Sequence, residues 1–137
     1  MKLSTRSRYG TRIVLELARR FGGAPTQVSE IARVQQIPVK YLEQLIRTLK
    51  QAGLITSVRG SKGGHHLNEK PEKITVGQIV RLFEGQADLV ECVSAPNKCS
   101  RADECRVRDV WIEATEAMYK QLDNVTIADL ICEPPPA

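Results

Sequence analysis

The stretch covering residues 38–67 narrows the choice of fold more than any other. Leu42, Leu45, Ile46 and Leu49 recur at the three-and-four spacing that puts them on one face of a helix over 38–50. Lys40, Glu43, Gln44, Arg47 and Lys50 share the opposite face. Gly53 stops the helix, because glycine enters the left-handed cap conformation cheaply. Residues 54–58 favour a strand, 59–64 form a glycine-containing turn, and 65–67 return as a second strand. A polar-faced helix followed by a basic hairpin is the outline of a winged helix-turn-helix. Its helix fits the major groove of duplex DNA, and a basic hairpin tip can reach a phosphate or the minor groove.

The residues upstream complete that outline. Ile13, Val14, Leu17, Ala18 and Phe21 predict a first helix over about 6–20, closed by Gly22-Gly23. Arg6, Arg8 and Arg12 crowd its start, the end where the helix dipole favours anions; a phosphate bound there is one explanation, and an unfavourable but tolerated charge pattern is the other. A turn at 25–27 precedes a short helix over 28–34, with Val28, Ile31 and Ala32 inward. Residues 35–37 make a three-residue turn, and Pro38 is expected at the first helical position. That turn lacks the glycine often found in it.

Charge agrees with a polyanionic partner. Residues 1–73 hold 14 Lys and Arg against 5 Asp and Glu, whereas residues 74–137 hold 6 against 11, so the net +4 divides into +9 and −5. Phosphate neutralisation supplies most non-specific DNA affinity, and a basic half carrying a helix-turn-helix pattern fits that role. The start of the chain lacks the apolar centre of a signal peptide, and no stretch approaches the roughly 18 apolar residues of a membrane span. The expected location is the cytoplasm, where thiols stay reduced.

Downstream, residues 68–73 are a polar linker. Thr75 and Gln78 form a capping pattern for a helix over 76–84 ending at Gly85. From about Asp103 the pattern turns helical again, with Val107, Val110, Trp111, Ala114, Met118 and Leu122 down one side. A long helix striped on one face suits pairing with its copy in a second subunit. Thr126 caps a last short helix over 127–131. The organisation expected is a DNA-binding module over 1–74 (helix-turn-helix 28–52, wing 54–67), a connecting helix and loop over 75–91, a cysteine loop over 92–105, a dimerisation helix with a short C-terminal helix over 106–131, and a tail over 132–137. The fold class is mainly α with a small β-hairpin wing.

Cys92, Cys99 and Cys105 lie on the expected loop. Their separations are not the two-to-four spacing of a zinc ribbon. Three thiolates on one loop can still converge on a thiophilic ion or an iron–sulfur cluster. Cys105, beside Arg106 and Arg108 at a helix start, has surroundings that favour thiolate. The spacing alone leaves bound metal, redox-active thiols and idle thiols open. Cys132 stands apart and reads as a spare thiol. His65 and His66, on adjacent strand positions, point to opposite faces and suit a wing or core role.

No catalytic constellation is visible, and residues 59–64 lack the order of a phosphate-binding loop. An enzyme is not expected.

Several motifs in order resemble the Rrf-type family of bacterial winged-helix transcription regulators. They are residues 1–5 with Arg8-Tyr9-Gly10, Tyr41-Leu42-Glu43-Gln44-Leu45 in the second helix of the motif, residues 58–65 in the wing (with His65 where tyrosine is more usual), residues 75–79, and residues 125–130. The resemblance implies a homodimer with crossed long helices on a pseudo-palindromic promoter site, acting as a repressor. It implies DNA contacts from Arg8, Lys40, Tyr41, Glu43, Gln44, Arg47, Lys50, Arg59 and Lys62. Arg59 would enter the minor groove and Glu43 would select bases by meeting a cytosine amino group. It also implies that Cys92, Cys99 and Cys105 hold an iron–sulfur cluster, 2Fe-2S in preference to 4Fe-4S, that senses cluster status or a redox or nitric oxide signal. In some cluster-binding members a histidine three residues after the last cysteine, or an acidic residue near the partner's N-terminus, completes the site. Those positions are Arg108 and Arg8 here, so the fourth ligand is open among Asp103, Glu104, Asp109, Cys132, a partner group, or a small thiol or water. The alternative is a cluster-free, CymR-like regulator of sulfur metabolism controlled by thiol state or a partner protein.

Overall fold

The computed structural model describes residues 2–85 and 88–131; Cys132 and the proline-rich tail expected after it lie outside the described residues. Helix α1, Thr5–Arg19, is the element on which the others pack. Its inward face carries Ile13, Val14, Leu17 and Ala18, and these meet Ile31, Leu42, Leu45, Leu49, Ile79 and Ile127 in one aliphatic core. Burying each such Leu or Ile contributes about 1.5–3 kcal/mol, which is why periodicity selects these helices.

Two expectations at helix ends are corrected. Phe21 does not continue the inward stripe of α1 and is 45% exposed. The last turn tightens, with Arg20 N–H donating to Leu17 O and Phe21 N–H to Ala18 O, which rotates the ring off the buried face. Pro38 is the N-cap of its helix rather than the first helical residue: its ψ of 133° is extended, and its carbonyl accepts from Leu42 N–H at 2.9 Å.

Helix α2, Val28–Gln35, leads through a sharp turn into α3, Val39–Gln51. The left-handed residue that closes α2 is Gln36, at φ 54°. A non-glycine residue there costs about 1–2 kcal/mol. The turn is held by Ile37, which is buried and whose N–H bonds to Ala32 O at 3.1 Å. Gly53, at φ 81°, stops the chain after α3 as the sequence predicts.

Strands β1, Ile55–Val58, and β2, Gly64–Leu67, pair antiparallel with Ile55 opposite Leu67 and Val58 opposite Gly64. This is the wing, and the fold is the mainly helical winged helix-turn-helix that the sequence predicts. Helix α4, Val76–Glu84, starts at Thr75, whose hydroxyl accepts from Gln78 N–H at 3.1 Å. Gly10 lets α4 approach α1: a Cβ there would lie 2.2 Å from Phe83 Cε2.

Helix α5, Arg106–Asp123, packs on α4, and α6, Ile127–Ile131, returns to α1. The chain between them is pinned by Val76 N–H to Val125 O and Ile127 N–H to Ile74 O. Thr126 caps α6, as the sequence predicts, and does so reciprocally with Asp129. No helix among the described residues is long and apolar enough to cross a membrane.

Candidate nucleic-acid interface and cysteine loop

The two faces of α3 are separated by burial. Leu42, Leu45, Ile46 and Leu49 are in the core, while Lys40, Glu43, Gln44, Arg47 and Lys50 are exposed along the outer side. Tyr41 is half-buried, its ring edge-on to Tyr9 of α1 at 5.8 Å, so it braces α3 while keeping one side open. Such an outer row offers cations, a carboxylate and an amide, groups able to pair with the base edges and phosphates of a major groove.

The wing is not a free hairpin. Thr26, just before α2, exchanges backbone hydrogen bonds with His65 of β2, N–H to O at 2.9 Å and O to N–H at 2.8 Å. Gly64 makes this approach possible, since a Cβ there would sit 2.5 Å from the Thr26 carbonyl. Gln27 Nε2 donates to Ser61 O at 3.2 Å, tying the tip to the same segment. The His65 Nδ1 lies 2.9 Å from Ser57 Oγ, and burial, followed by the charges of Lys50 and His66, lowers its pKa. Arg59 and Lys62 project from the tip and are exposed. The helix-turn-helix and the basic tip are therefore locked into one register.

At the start of α1 the phosphate expectation is corrected. Ser4 caps the helix by accepting from Ser7 N–H, and the Glu84 carboxylate of α4 accepts from Ser4 N–H and the Ser7 hydroxyl. A carboxylate of this chain supplies the anion that the helix end favours. Two of the arginines are also occupied. Arg6 lies over the Phe83 ring, and Arg12 lies over Tyr9 and donates to the Gln35 side chain and carbonyl. Arg8 is exposed, with one bond to Thr5 Oγ1.

Cys92 and Cys105 are half-buried, Cys99 is exposed, and all three are free thiols. Cys99 follows a short 3-10 turn, Pro96–Lys98, and Cys105 is the N-cap residue of α5. Arg108, one turn into α5, reaches back across the loop: its Nε donates to Cys92 O at 2.9 Å and a terminal nitrogen to Val93 O at 3.4 Å. A Glu91–Lys98 ion pair closes the near side. Among the described residues, no three His, Cys, Asp or Glu side chains are grouped closely enough to hold a metal ion. The donor set still suits a thiophilic group: three soft ligands on a segment made of turns, one at a helix N-terminus, with no disulfide consuming them. Loading would have to draw the three sulfurs together.

Along α5 the apolar stripe is uncovered. Val107 and Val110 are each 54% exposed and Trp111 is 37% exposed. Thr115 is the only buried residue on this helix.

The chain is similar over nearly its whole length to known transcriptional regulators. Residues 3–133 match the family model described as "Rrf2: Iron-dependent Transcriptional regulator". The chain is 47% identical over 131 residues to "Protein rrf2" of Nitratidesulfovibrio vulgaris, covering 96% of this chain and 87% of that protein. Among solved structures it is similar to CymR of B. subtilis, titled "the Global Cysteine Regulator", at 37% identity and TM-score 0.81, covering 98% of this chain and 99% of that one. It is also similar to T. potens IscR, at 34% identity and TM-score 0.78, covering 96% and 86%.

Proposed function

The chain belongs to the Rrf2 family of transcriptional regulators, and from that premise we propose that it is a dimeric DNA-binding repressor whose 92–105 loop holds an iron–sulfur cluster. The observation that carries the DNA reading is the exposed row Lys40, Glu43, Gln44, Arg47 and Lys50 beside a wing tip held in register by the Thr26–His65 bridge. In this reading α3 enters the major groove, Arg59 reaches the minor groove, and Lys62, Arg8 and Tyr41 flank phosphates. The exposed stripe of α5 pairs with the same stripe of a second copy, which sets the spacing of two half-sites on a pseudo-palindromic operator. Residues 1–74 then act as the reader and 92–131 as the sensor and dimer element.

Cys92, Cys99 and Cys105 are the proposed protein ligands. When bound, a cluster supplies one-electron redox chemistry and reactivity toward oxidants. The chain's own residues do the rest. Cys105 offers its sulfur at the N-terminus of α5, and Arg108 fixes the backbone of Cys92 against that helix while adding positive charge beside anionic ligands. Whatever fills the fourth position, drawing in the loop pulls on the start of α5 and thereby shifts the population of reader spacings.

The similarity to CymR, 37% identity over 98% of this chain, favours a second reading, in which the same thiols respond directly to oxidation or to a partner protein. Anaerobic purification followed by absorbance, iron and sulfide assays, with binding to the upstream promoter measured before and after cluster removal, separates the two. A coloured, iron-loaded dimer whose promoter affinity changes on cluster loss supports the first. A colourless, iron-free protein that binds the promoter supports the second.

A further inference from the structure

Of the aliphatic residues on α3, Leu42, Leu45, Ile46 and Leu49 are in the core, and Val39 alone is not. It is the first residue of the helix and is 47% exposed. Pro38 and Lys40 on either side of it are exposed too, as is Glu43 one turn further on. Residues four apart on a helix are neighbours on its surface, so Val39 stands beside Glu43 at the edge of the outer row. That row is otherwise made of hydrogen-bonding side chains. Isolated apolar residues are ordinary on a protein surface and need no partner. Val39 is set apart by its place, at the entry of the helix that carries the exposed polar row.

The start of α3 is also open to a polyanion. No side-chain hydrogen bond caps it among the described residues, and its first turn holds Lys40 and no acidic residue. The start of α1, by contrast, is closed by Ser4 and Glu84. The positive end of the α3 dipole is therefore not neutralised locally, which favours this end of the helix, rather than the end bearing Lys50, for entry between phosphates. Helix-turn-helix proteins contact base edges with the N-terminal residues of their second helix. In the major groove every base presents hydrogen-bonding groups, and thymine adds a methyl. A valine side chain exchanges no hydrogen bonds, so the feature of the groove that it can favour is that methyl.

We propose, on the strength of the DNA-binding reading and dependent on it, that Val39 is a specificity residue that selects a thymine in each half-site by packing on its C5-methyl group. A four-residue step advances about 6 Å along a helix axis, roughly two base steps of duplex. Val39 and Glu43 therefore act as a pair, the valine selecting thymine and the carboxylate selecting cytosine about two steps away. Cationic contacts to phosphates carry no such information.

The test uses a duplex selected by the parent chain from a randomised pool, with each thymine replaced in turn by deoxyuridine. That replacement removes the methyl and leaves the hydrogen-bonding edges of the base unchanged. One thymine per half-site, within about two base steps of the base whose preference Glu43→Ala alters, should be sensitive. Binding there should weaken about fourfold, the scale of one methyl withdrawn from water. Val39→Ser should bind the unmodified duplex more weakly by a similar factor and be indifferent to deoxyuridine at that position. Val39→Ala, which favours helix, should show a smaller deoxyuridine effect than the parent, so the comparison does not rest on one variant. Lys62→Ala on the wing should weaken all duplexes alike and keep the full deoxyuridine effect. A parent chain that binds its selected duplex and is indifferent to deoxyuridine at every thymine overturns the proposal and leaves DNA binding standing, as does a Val39→Ser variant that keeps the full effect. A parent chain that selects no duplex from the pool overturns the DNA-binding reading itself.

Discussion

The Glu84 carboxylate at the end of α4 closes the N-terminus of α1, accepting from the Ser7 hydroxyl at 2.5 Å and from Ser4 N–H at 2.7 Å. The Ser7 bond first, then those from Ser4 and the charge of Arg6, hold this carboxyl below its ordinary value of 4.5 against the opposing effect of burial. A pKa lowered by folding contributes stability that is complete above the ordinary value and is lost as pH falls through the folded one. Thermal midpoints should therefore decline as pH drops below 4.5, and Glu84→Gln should decline less over the same interval. Glu30 and Asp123, lowered by Arg33 and Arg81, share that acid limb, so the difference between the two curves is the readout. Superimposable slopes would remove Glu84 from the acid response.

Gly10→Ala should destabilise the chain by about 1–3 kcal/mol, the usual cost of forcing an extra carbon into a packed contact. The added Cβ would overlap the Phe83 ring, with its nearest atom at 2.2 Å, and α1 and α4 would have to separate. Urea denaturation checks this, and an unchanged midpoint would mean that the ring turns aside freely.

Arg59→Ala should weaken promoter binding and reduce the dependence of log affinity on log salt by roughly one contact's worth, with no loss of thermal stability because the side chain is exposed. Glu43→Ala should instead alter which base is preferred. Fluorescence anisotropy across a salt series distinguishes the two, and an Arg59→Ala variant with parental affinity and slope would detach the wing from DNA.

Val110→Asp should convert the proposed dimer to monomer. The residue is 54% exposed in the single chain, so the charge is tolerated there, but between paired helices it would be buried without a partner at a cost of several kcal/mol. Sedimentation velocity reads the mass, and a variant that sediments as a dimer would place the subunit contact elsewhere.

Cys92→Ala, reconstituted without oxygen, should lack the visible absorption of an iron–sulfur cluster. Arg108→Ala should keep all three thiols and yet retain less iron, because it frees the backbone of Cys92 and Val93. Full iron and colour in Cys92→Ala would strike that residue from the ligand set.

Elements defined by near neighbours were legible in the sequence. The stripe Leu42, Leu45, Ile46, Leu49 set α3 and its exposed polar row, Thr75 and Gln78 marked the start of α4, and Gly53 marked the end of α3. Each depends on contacts within a few residues, where spacing in sequence and spacing in space are the same. Phe21 misled because its spacing fits a helix that a tightened last turn ends before reaching it. The three cysteines could be found as residue types, but their spacing could not say whether they meet.

The chain's own order of apolar and polar residues determined the helices, the hairpin and the basic character of the N-terminal half. Tertiary structure alone decided that Glu84, 77 residues from Ser7, supplies the anion at the start of α1. It alone joined Thr26 to His65 and spent Arg12 on Gln35. Hydrophobic periodicity is a property of one segment against any apolar surface, whereas a hydrogen bond between distant segments has direction and a single partner, and that partner exists only once the core has fixed where each segment lies.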